Sequence, residues 1–291
     1  MVRIPGGSFL MGSDDADGFP ADGEGPVREV ALVPYLIDAT AVRNRDFAAF
    51  VADTGHVTDA ERFGWSFVFH ALLDPAQRRM PRGDVVPDAP WWIAVDGACW
   101  RAPEGPQSTT EAREDHPAVH VSWRDAAAYA AWRGKRLPTE AEWERAARGG
   151  LAQKNYPWGD ELRPDGRHRC NIWQGRFPEI NTGDDGFLGT APVDAFAANG
   201  YGLYSTSGNV WEWCSDWWSA TWHAAKSAAT RQDPRGPASG EAKVIRGGSY
   251  LCHASYCNRY RVAARTCNSA DSSAGHMGFR CAADVAAASR S

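Results

Sequence analysis

Apolar residues recur at helical spacing in three stretches of this chain of 291 residues. In NRDFAAFVADTG, residues 44–55, the aromatic and aliphatic positions fall three and four apart, and Gly55 marks the end. Ser122 stands where it can cap SWRDAAAYAAWRG, with Asp125 three residues on to return the hydrogen bond and Gly134 to stop the helix. Thr139 and Glu142 form a similar capping box at the start of LPTEAEWERAARGG, which Gly149 closes. Beyond residue 150 the pattern changes to short strand candidates separated by Gly, Asn and Asp turns. Residues 75–106 are rich in proline around APWWIAVDGACWRA, which predicts an irregular excursion holding a short hairpin. With no internal repeat and no low-complexity linker, the pattern predicts an α+β fold: one loop-rich domain with little regular secondary structure.

Composition sharpens this picture. At 43% hydrophobic and 23% charged the chain reads as soluble and globular, and its 14 tryptophans predict large rings filling the space between irregular segments. A net charge of -5 without any run of basic residues gives no reason to expect nucleic acid as a partner. No stretch reaches the roughly 18 apolar residues that span a bilayer, and MVRIPGGSFLMG lacks the charged and apolar regions of a signal peptide. A cytoplasmic protein is therefore expected. In a reducing compartment an odd count of 7 cysteines argues against a disulfide framework. Residues 13–27, SDDADGFPADGEGPV, miss the EF-hand order of acids and are expected to form a solvated loop.

The candidate chemistry lies in RGGSYLCHASYCNRYR, residues 246–261. Extended chain would put Cys252 and Cys257 roughly 16 Å apart, and a helix would separate them by about 140° of rotation. If the two sulfurs act together, HASY must fold back as a turn. Three readings stand on spacing: unrelated buried thiols or an incidental disulfide, a zinc site short of ligands, or a two-thiolate site for a soft ion such as copper(I). Arg259, Arg261 and Arg265 could hold thiolates or serve as structural ion pairs, and the sequence leaves these two roles even.

GGSYLCHASYCNRYRVAART and DSSAGHMGFRCAAD resemble the carboxy-terminal signature of the formylglycine-generating enzymes, also called sulfatase-modifying factors. RLPTEAEWERAARGG, CNIWQGRFP, NTGDDGFLGTAPV and GNVWEWCSDWW follow the order of that family. The likeness runs from about Ile4 to Asp284, so residues 1–291 are expected to form one such domain, with the C-type-lectin-like fold of the family. It implies an oxidase that uses dioxygen and copper(I), held between Cys252 and Cys257, to turn the cysteine of a sulfatase Cys-x-Pro-x-Arg segment into Cα-formylglycine. The chain shows no GxGxxG fingerprint of a flavin or nicotinamide site. Cys252 would be the more exposed ligand and Cys257 the inner one. The expected partners are an unfolded sulfatase chain and dioxygen, with no membrane involved and the enzyme working as a monomer.

By the same resemblance Ser249, Tyr256, Ser273 and Trp211 line the oxygen and substrate pocket. One structural calcium ion would lie between Asn171, Asp185 and the carbonyls of Ile172 and Phe187. A second would take the carbonyls of Gly208 and Val210 and the carboxylate of Glu212. Ser205 stands where many members have an asparagine ligand, His276 where asparagine is common in the pocket, and Val262 where secreted members have a pairing cysteine. Cys99, Cys170, Cys214, Cys267 and Cys281 are read as structural. Two rivals remain: a noncatalytic binding module on the same scaffold, which would tolerate serine at 252 and 257, and a nonhaem-iron sulfoxide synthase, which would need a His-rich helical domain that has no counterpart in this sequence.

Overall fold

The computed structural model of the chain describes residues 1–75, 86 and 89–285. The strands in chain order are β1 (Val2–Ile4), β2 (Gly7–Met11), β3 (Arg28–Leu32), β4 (Tyr35–Ile37), β5 (Trp65–Phe69), β6 (Trp92–Asp96), β7 (Gly175–Arg176), β8 (Ile180–Asn181), β9 (Trp211–Trp217), β10 (Ala242–Arg246), β11 (Arg265–Ser269), β12 (Met277–Gly278) and β13 (Ala282–Asp284). The α-helices are α1 (Asn44–Thr54), α2 (Asp59–Phe63), α3 (Trp123–Trp132), α4 (Glu140–Ala147) and α5 (Ala228–Arg231). These elements are short and the loops between them long, which is the α+β, loop-rich organisation expected.

The three expected helices form where their caps stand. Ser122 Oγ accepts from the Asp125 amide while the Asp125 carboxylate accepts from the Ser122 amide, and Thr139 with Glu142 repeats the exchange. Gly55, Gly134 and Gly149 take positive φ of 67°, 65° and 59°, a conformation that releases the chain from each helix without a Cβ clash. The five-residue helix α2 carries its own capping box, Thr58 with Glu61, but is too short to show a periodicity. The Trp92–Asp96 stretch is a strand, as APWWIAVDGACWRA suggested, yet its partner is Trp65–Phe69 rather than a neighbour within the stretch. Periodicity finds a strand; it does not find the partner. Residues 76–85, 87 and 88 of that proline-rich excursion lie outside the described residues.

A four-stranded sheet in the order β11-β10-β9-β12 forms the centre, with β12 parallel to β9 and the other pairs antiparallel. A three-stranded sheet, β1-β4-β13, joins the two ends of the described chain. Between the central sheet and helices α1 and α3 lies the main core, where Phe47, Tyr129, Trp100 and Phe279 pack ring on ring at centroid distances of 5.3–6.4 Å. Trp100, Trp143, Trp173, Trp211 and Trp213 are buried, the space-filling use expected of the tryptophans.

Helix α4 meets the sheet through charge as well as apolar surface. Glu140 accepts from Arg265 at 2.6 and 2.7 Å and from Arg246 at 3.1 Å, and Glu144 accepts from Arg246 and Arg148. Burial alone would raise the Glu140 carboxyl, but the Arg265 and Arg246 guanidiniums outweigh it and hold it down to about 2. Such a cluster fixes the angle of α4 on β10 and β11, since any other angle would strand a buried charge.

Residues 13–27 depart from expectation. Asp22 and Glu24 are buried, and their carboxylates meet Arg259 and Arg261. An acidic, glycine-rich stretch resembles a solvated loop until a complementary run of arginines, more than two hundred residues away, is folded against it.

Candidate active site

The turn required of HASY is present. The Tyr256 and Cys257 amides both donate to the His253 carbonyl, at 2.9 and 2.7 Å, and the Cys252 amide donates to the Ser249 carbonyl at 2.9 Å. These bonds bring the sulfurs of Cys252 and Cys257 to 3.0 Å. That is wider than the roughly 2.05 Å of a disulfide, so the pair is a hydrogen-bonded dithiol. All seven cysteines are free.

The two thiols are not equivalent. Cys257 is held down to about 7, first by the hydrogen bond from Cys252 and then, against the opposing effect of burial, by the Arg259 amide and guanidinium. Cys252 is raised well above the ordinary thiol range by burial and by its partner's charge. Ionisation of one sulfur is thus stabilised by the other's proton, and the pair titrates as a unit. Cys252 is 2% exposed and Cys257 6%, so exposure does not order them as expected, with Cys252 outermost. The turn tucks Cys252 beneath Ser249, whose amide donates to the Cys252 sulfur at 3.4 Å.

The three arginines divide. Arg261 is committed to Glu24 and Arg265 to Glu140, whereas Arg259 holds Asp22 with Nε and Nη2 and places Nη1 3.9 Å from the Cys257 sulfur. The ring of Phe19 lies 3.8 Å from the Arg259 guanidinium. Asp22 and Phe19 therefore aim the cation at the thiol, a contribution of the acidic loop that sequence reasoning missed.

Both sulfurs line a cavity of about 350 Å³, together with Ser249, Tyr256, Trp211 and His276. Trp91 and Tyr256 stand at its rim with Phe177: Tyr256 stacks on Phe177 at 4.7 Å and meets the edge of Trp91 at 4.8 Å, remaining 43% exposed. His276 packs 4.4 Å from the Trp92 ring, and burial, with His120 nearby, holds its imidazole down to about 3, so it is neutral. Cys267, read as structural, also lines the cavity from β11, and burial raises its thiol. Ser273 sits between cavity-lining neighbours, Ser272 and Ala274, but its hydroxyl is hydrogen-bonded to Ser66 at 2.8 Å. Cys99, Cys170, Cys214 and Cys281 lie outside this wall and are buried.

Two soft, convergent sulfurs, one of them acidic, fit a monovalent soft ion of low coordination. They supply two donors, and among the described residues no group of three or more His, Cys, Asp and Glu side chains converges as a metal site.

The calcium sets differ from each other. Asp185 Oδ2 accepts from the Ile172 amide at 3.1 Å and from Gln174 Nε2 at 2.8 Å, while Oδ1 accepts from the Phe187 amide at 3.0 Å. Gln174 Nε2 also donates to the Ile172 carbonyl. Burial raises the Asp185 carboxyl, and no arginine or lysine is paired with it among the described contacts. Asn171 is adjacent and donates to the Gly189 carbonyl at 2.8 Å. A half-buried carboxylate beside a carbonyl and an amide suits a hard dication. The second set does not. Glu212 accepts from Arg280 at 2.6 and 2.7 Å and from Trp143 Nε1 at 2.8 Å, so its charge and both oxygens are already satisfied within the fold. Ser205 Oγ is turned to the Val193 carbonyl at 3.2 Å, so the set of Gly208, Val210 and Glu212 has no carboxylate free of a cation.

A loop-rich α+β scaffold that folds a dithiol turn into a cavity wall defines the class: the formylglycine-generating-enzyme fold. The chain matches the family described as "Sulfatase-modifying factor enzyme 1-like domain" over residues 1–285, and it belongs to that family. It is 70% identical over 284 residues to a protein of Thermomonospora curvata named formylglycine-generating enzyme, covering 98% of this chain and 93% of that one. A protein of the same name from Streptomyces coelicolor is 62% identical over 287 residues, with 98% and 89% covered. The solved structure of PvdO from Pseudomonas aeruginosa shares the fold, with a TM-score of 0.69 at 24% identity over 97% of this chain and 93% of that one.

Proposed function

We propose that this chain oxidises the cysteine of a sulfatase Cys-x-Pro-x-Arg segment to Cα-formylglycine with dioxygen, at the Cys252–Cys257 pair. The observation that carries the reading is the 3.0 Å approach of the two sulfurs at the wall of an open cavity, in a chain closely related to proteins named for this reaction. Removing two hydrogens from the substrate Cβ–SH unit leaves a thioaldehyde, which water hydrolyses to the aldehyde and hydrogen sulfide. Reduction of dioxygen to water takes two more electrons and protons, which an external thiol supplies. Net, one substrate thiol, one dioxygen and two external thiols give one aldehyde, one hydrogen sulfide, one water and one external disulfide.

Copper(I) held by the two sulfurs would supply the one-electron chemistry through which triplet dioxygen reacts with a thiol. The residues of the chain do the rest. Arg259, anchored by Asp22, keeps negative charge favourable at Cys257. Ser249 orients Cys252 through its amide. Trp211 walls the cavity against bulk water, and the Tyr256–Phe177–Trp91 rim offers aromatic faces to an extended peptide. We assign one calcium ion to the Asp185 set, as a brace for loops that lack helix or strand. The reading extends to a monomer and to work in the cytoplasm, the compartment being supported by seven free cysteines.

The test mixes copper-loaded protein with a Cys-x-Pro-x-Arg peptide in air and follows thiol-to-aldehyde conversion by mass spectrometry, with metal-free protein as control. Conversion by the loaded form alone is expected. Equal conversion by both forms, or by neither, overturns the copper oxidase reading.

A further inference from the structure

The turn that carries the thiol pair has a second side. Cys252, Tyr256 and Cys257 line the thiol cavity, while His253 and Ala254 line a separate cavity of about 210 Å³ together with residues drawn from 162–175. Aromatic side chains form the ridge between the two: Trp173, from the wall of the second cavity, meets Phe177 at 5.3 Å, and Phe177 stacks on Tyr256 at the rim of the first. The volume is below the roughly 300–1,000 Å³ of sites that enclose a whole small molecule. It suits one or two side chains of a longer ligand.

The wall of this cavity is rich in donors. The Arg169 guanidinium lies 5.7 Å from the Trp158 ring, which stacks on Tyr156 at 5.5 Å, and Tyr156 stacks in turn on Tyr260 at 6.1 Å. This ladder holds the guanidinium by an aromatic face and leaves its charge without a carboxylate. The Nε of Arg169 is enclosed, but its two terminal nitrogens are not, and they have neither a hydrogen bond nor an ion pair among the described residues. Arg163, exposed on the same wall, likewise has no partner among them. Tyr260 is 3% exposed; it lines this cavity and not the thiol cavity, and its hydroxyl makes no hydrogen bond to the described residues. A buried hydroxyl in that position is completed by a polar group that enters the cavity. In His253 the Ser255 amide donates to Nδ1 at 3.2 Å, so the neutral ring carries its hydrogen on Nε2, a further donor. Among the described residues of the wall Asp184 carries the carboxylate, and it is exposed. The balance of guanidiniums, phenol and imidazole N–H against one carboxylate favours an oxyanion.

We propose that this cavity is an acid-selective subsite for the substrate chain, taking the side-chain carboxylate of a glutamate or aspartate that flanks the Cys-x-Pro-x-Arg core, with Arg163, Arg169 and Tyr260 as specificity-determining residues. A polypeptide laid over the aromatic ridge, with its cysteine at the two sulfurs, passes beside this cavity. Leu162, Ile172 and Trp173 add apolar surface to the wall, which the methylenes of an acidic side chain cover and a bare inorganic anion does not. Because both guanidiniums are partly exposed, their attraction is screened and modest, and it acts on which peptide binds rather than on the chemical step. The inference rests on the proposed oxidation, since it takes the sulfatase segment as the ligand.

The test scans a single glutamate through the three positions on either side of the core of a Cys-x-Pro-x-Arg peptide, with glutamine at the same position as control, using copper-loaded protein in air. At one position or more the glutamate peptide is expected to have a KM about five- to tenfold below that of its glutamine twin, the two kcat values agreeing within about twofold. In Arg169→Gln that KM ratio should fall to about 2 or less, and in Arg163→Gln and Tyr260→Phe to intermediate values. Each ratio is taken within one protein, so a general loss of folding cannot imitate the result. A second readout needs neither metal nor turnover: in fluorescence anisotropy with labelled peptides whose core cysteine is replaced by serine, metal-free wild type should bind the glutamate peptide more tightly than the glutamine one, and about 0.5 M salt should remove the preference. Equal KM values at every position, or a preference that survives Arg169→Gln and Arg163→Gln together, overturns the subsite while the oxidation stands. A wild type that converts no peptide overturns the functional reading, and the anisotropy comparison then judges the subsite by itself: equal binding of the two peptides overturns it.

Discussion

Strand β9 and the turn at 249–261 both bury a cysteine near an arginine, and they use them in opposite ways. On β9, Cys214 is fully buried, and burial followed by the nearby Asp216 and Glu140 charges pushes its thiol well up. The neighbouring Arg246 is committed to Glu140 and Glu144. In the turn, Cys257 has a second sulfur at 3.0 Å and a guanidinium nitrogen at 3.9 Å, and it is held down to about 7. Burial is nearly the same in both places. The partner decides whether a buried thiol is pushed up or held down. The loop-borne carboxylates repeat the lesson, since Glu212 is neutralised by Arg280 whereas Asp185 sits among amides and a carbonyl.

Under the proposed function, replacing Cys257 should have the largest effect. Cys257→Ser is expected to lower peptide conversion by about 10³-fold or more, because the two sulfurs act as a unit; a serine variant retaining wild-type turnover would erase the distinction between the two regions. Next comes Glu212→Gln, which leaves the Arg280 guanidinium buried without its counter-charge and should cost about 3–5 kcal/mol in denaturant unfolding, with or without calcium. Cys214→Ala removes only a buried sulfur. It should cost about 1–2 kcal/mol of stability while leaving kcat unchanged.

The carboxylate comparison is sharpened by heat. Calcium should raise the melting temperature of the wild type by a few degrees, on the order of 1 kcal/mol of linkage, and Asp185→Asn should abolish that rise; a shift that persists in the variant would place the ion elsewhere. The smallest effect is on thiol acidity. In metal-free protein, alkylation of Cys257 should switch on as pH rises through about 7. Because Arg259 favours the thiolate, loosening it with Asp22→Asn should move that midpoint upward, while Cys214 stays unreactive until the protein unfolds.

The helices were legible because each carries its own punctuation. Ser122 with Asp125 and Thr139 with Glu142 satisfy orphan amides locally, and the glycine that ends each helix follows within the same stretch. The dithiol turn was legible in part: Cys252 and Cys257 could meet only if HASY folded back, but whether they did was open. Other features had no local signal. The β5–β6 pairing joins strands separated by more than twenty residues, the docking of Asp22 on Arg259 spans most of the chain, and the hydrogen bonds of Ser66 with Ser273 and His120 draw on three distant segments.

By itself the sequence determined the boundaries of the three longest helices, the loop-rich α+β character and the residues capable of sulfur chemistry, since caps, periodicity and side-chain type act over a few neighbouring positions. Only the tertiary structure decided which arginine faces a thiol, which carboxylate already has its cation and which acids of the 13–27 loop are buried. Those outcomes depend on charge, burial and distance between groups remote along the chain, and these quantities have no value until the chain has folded.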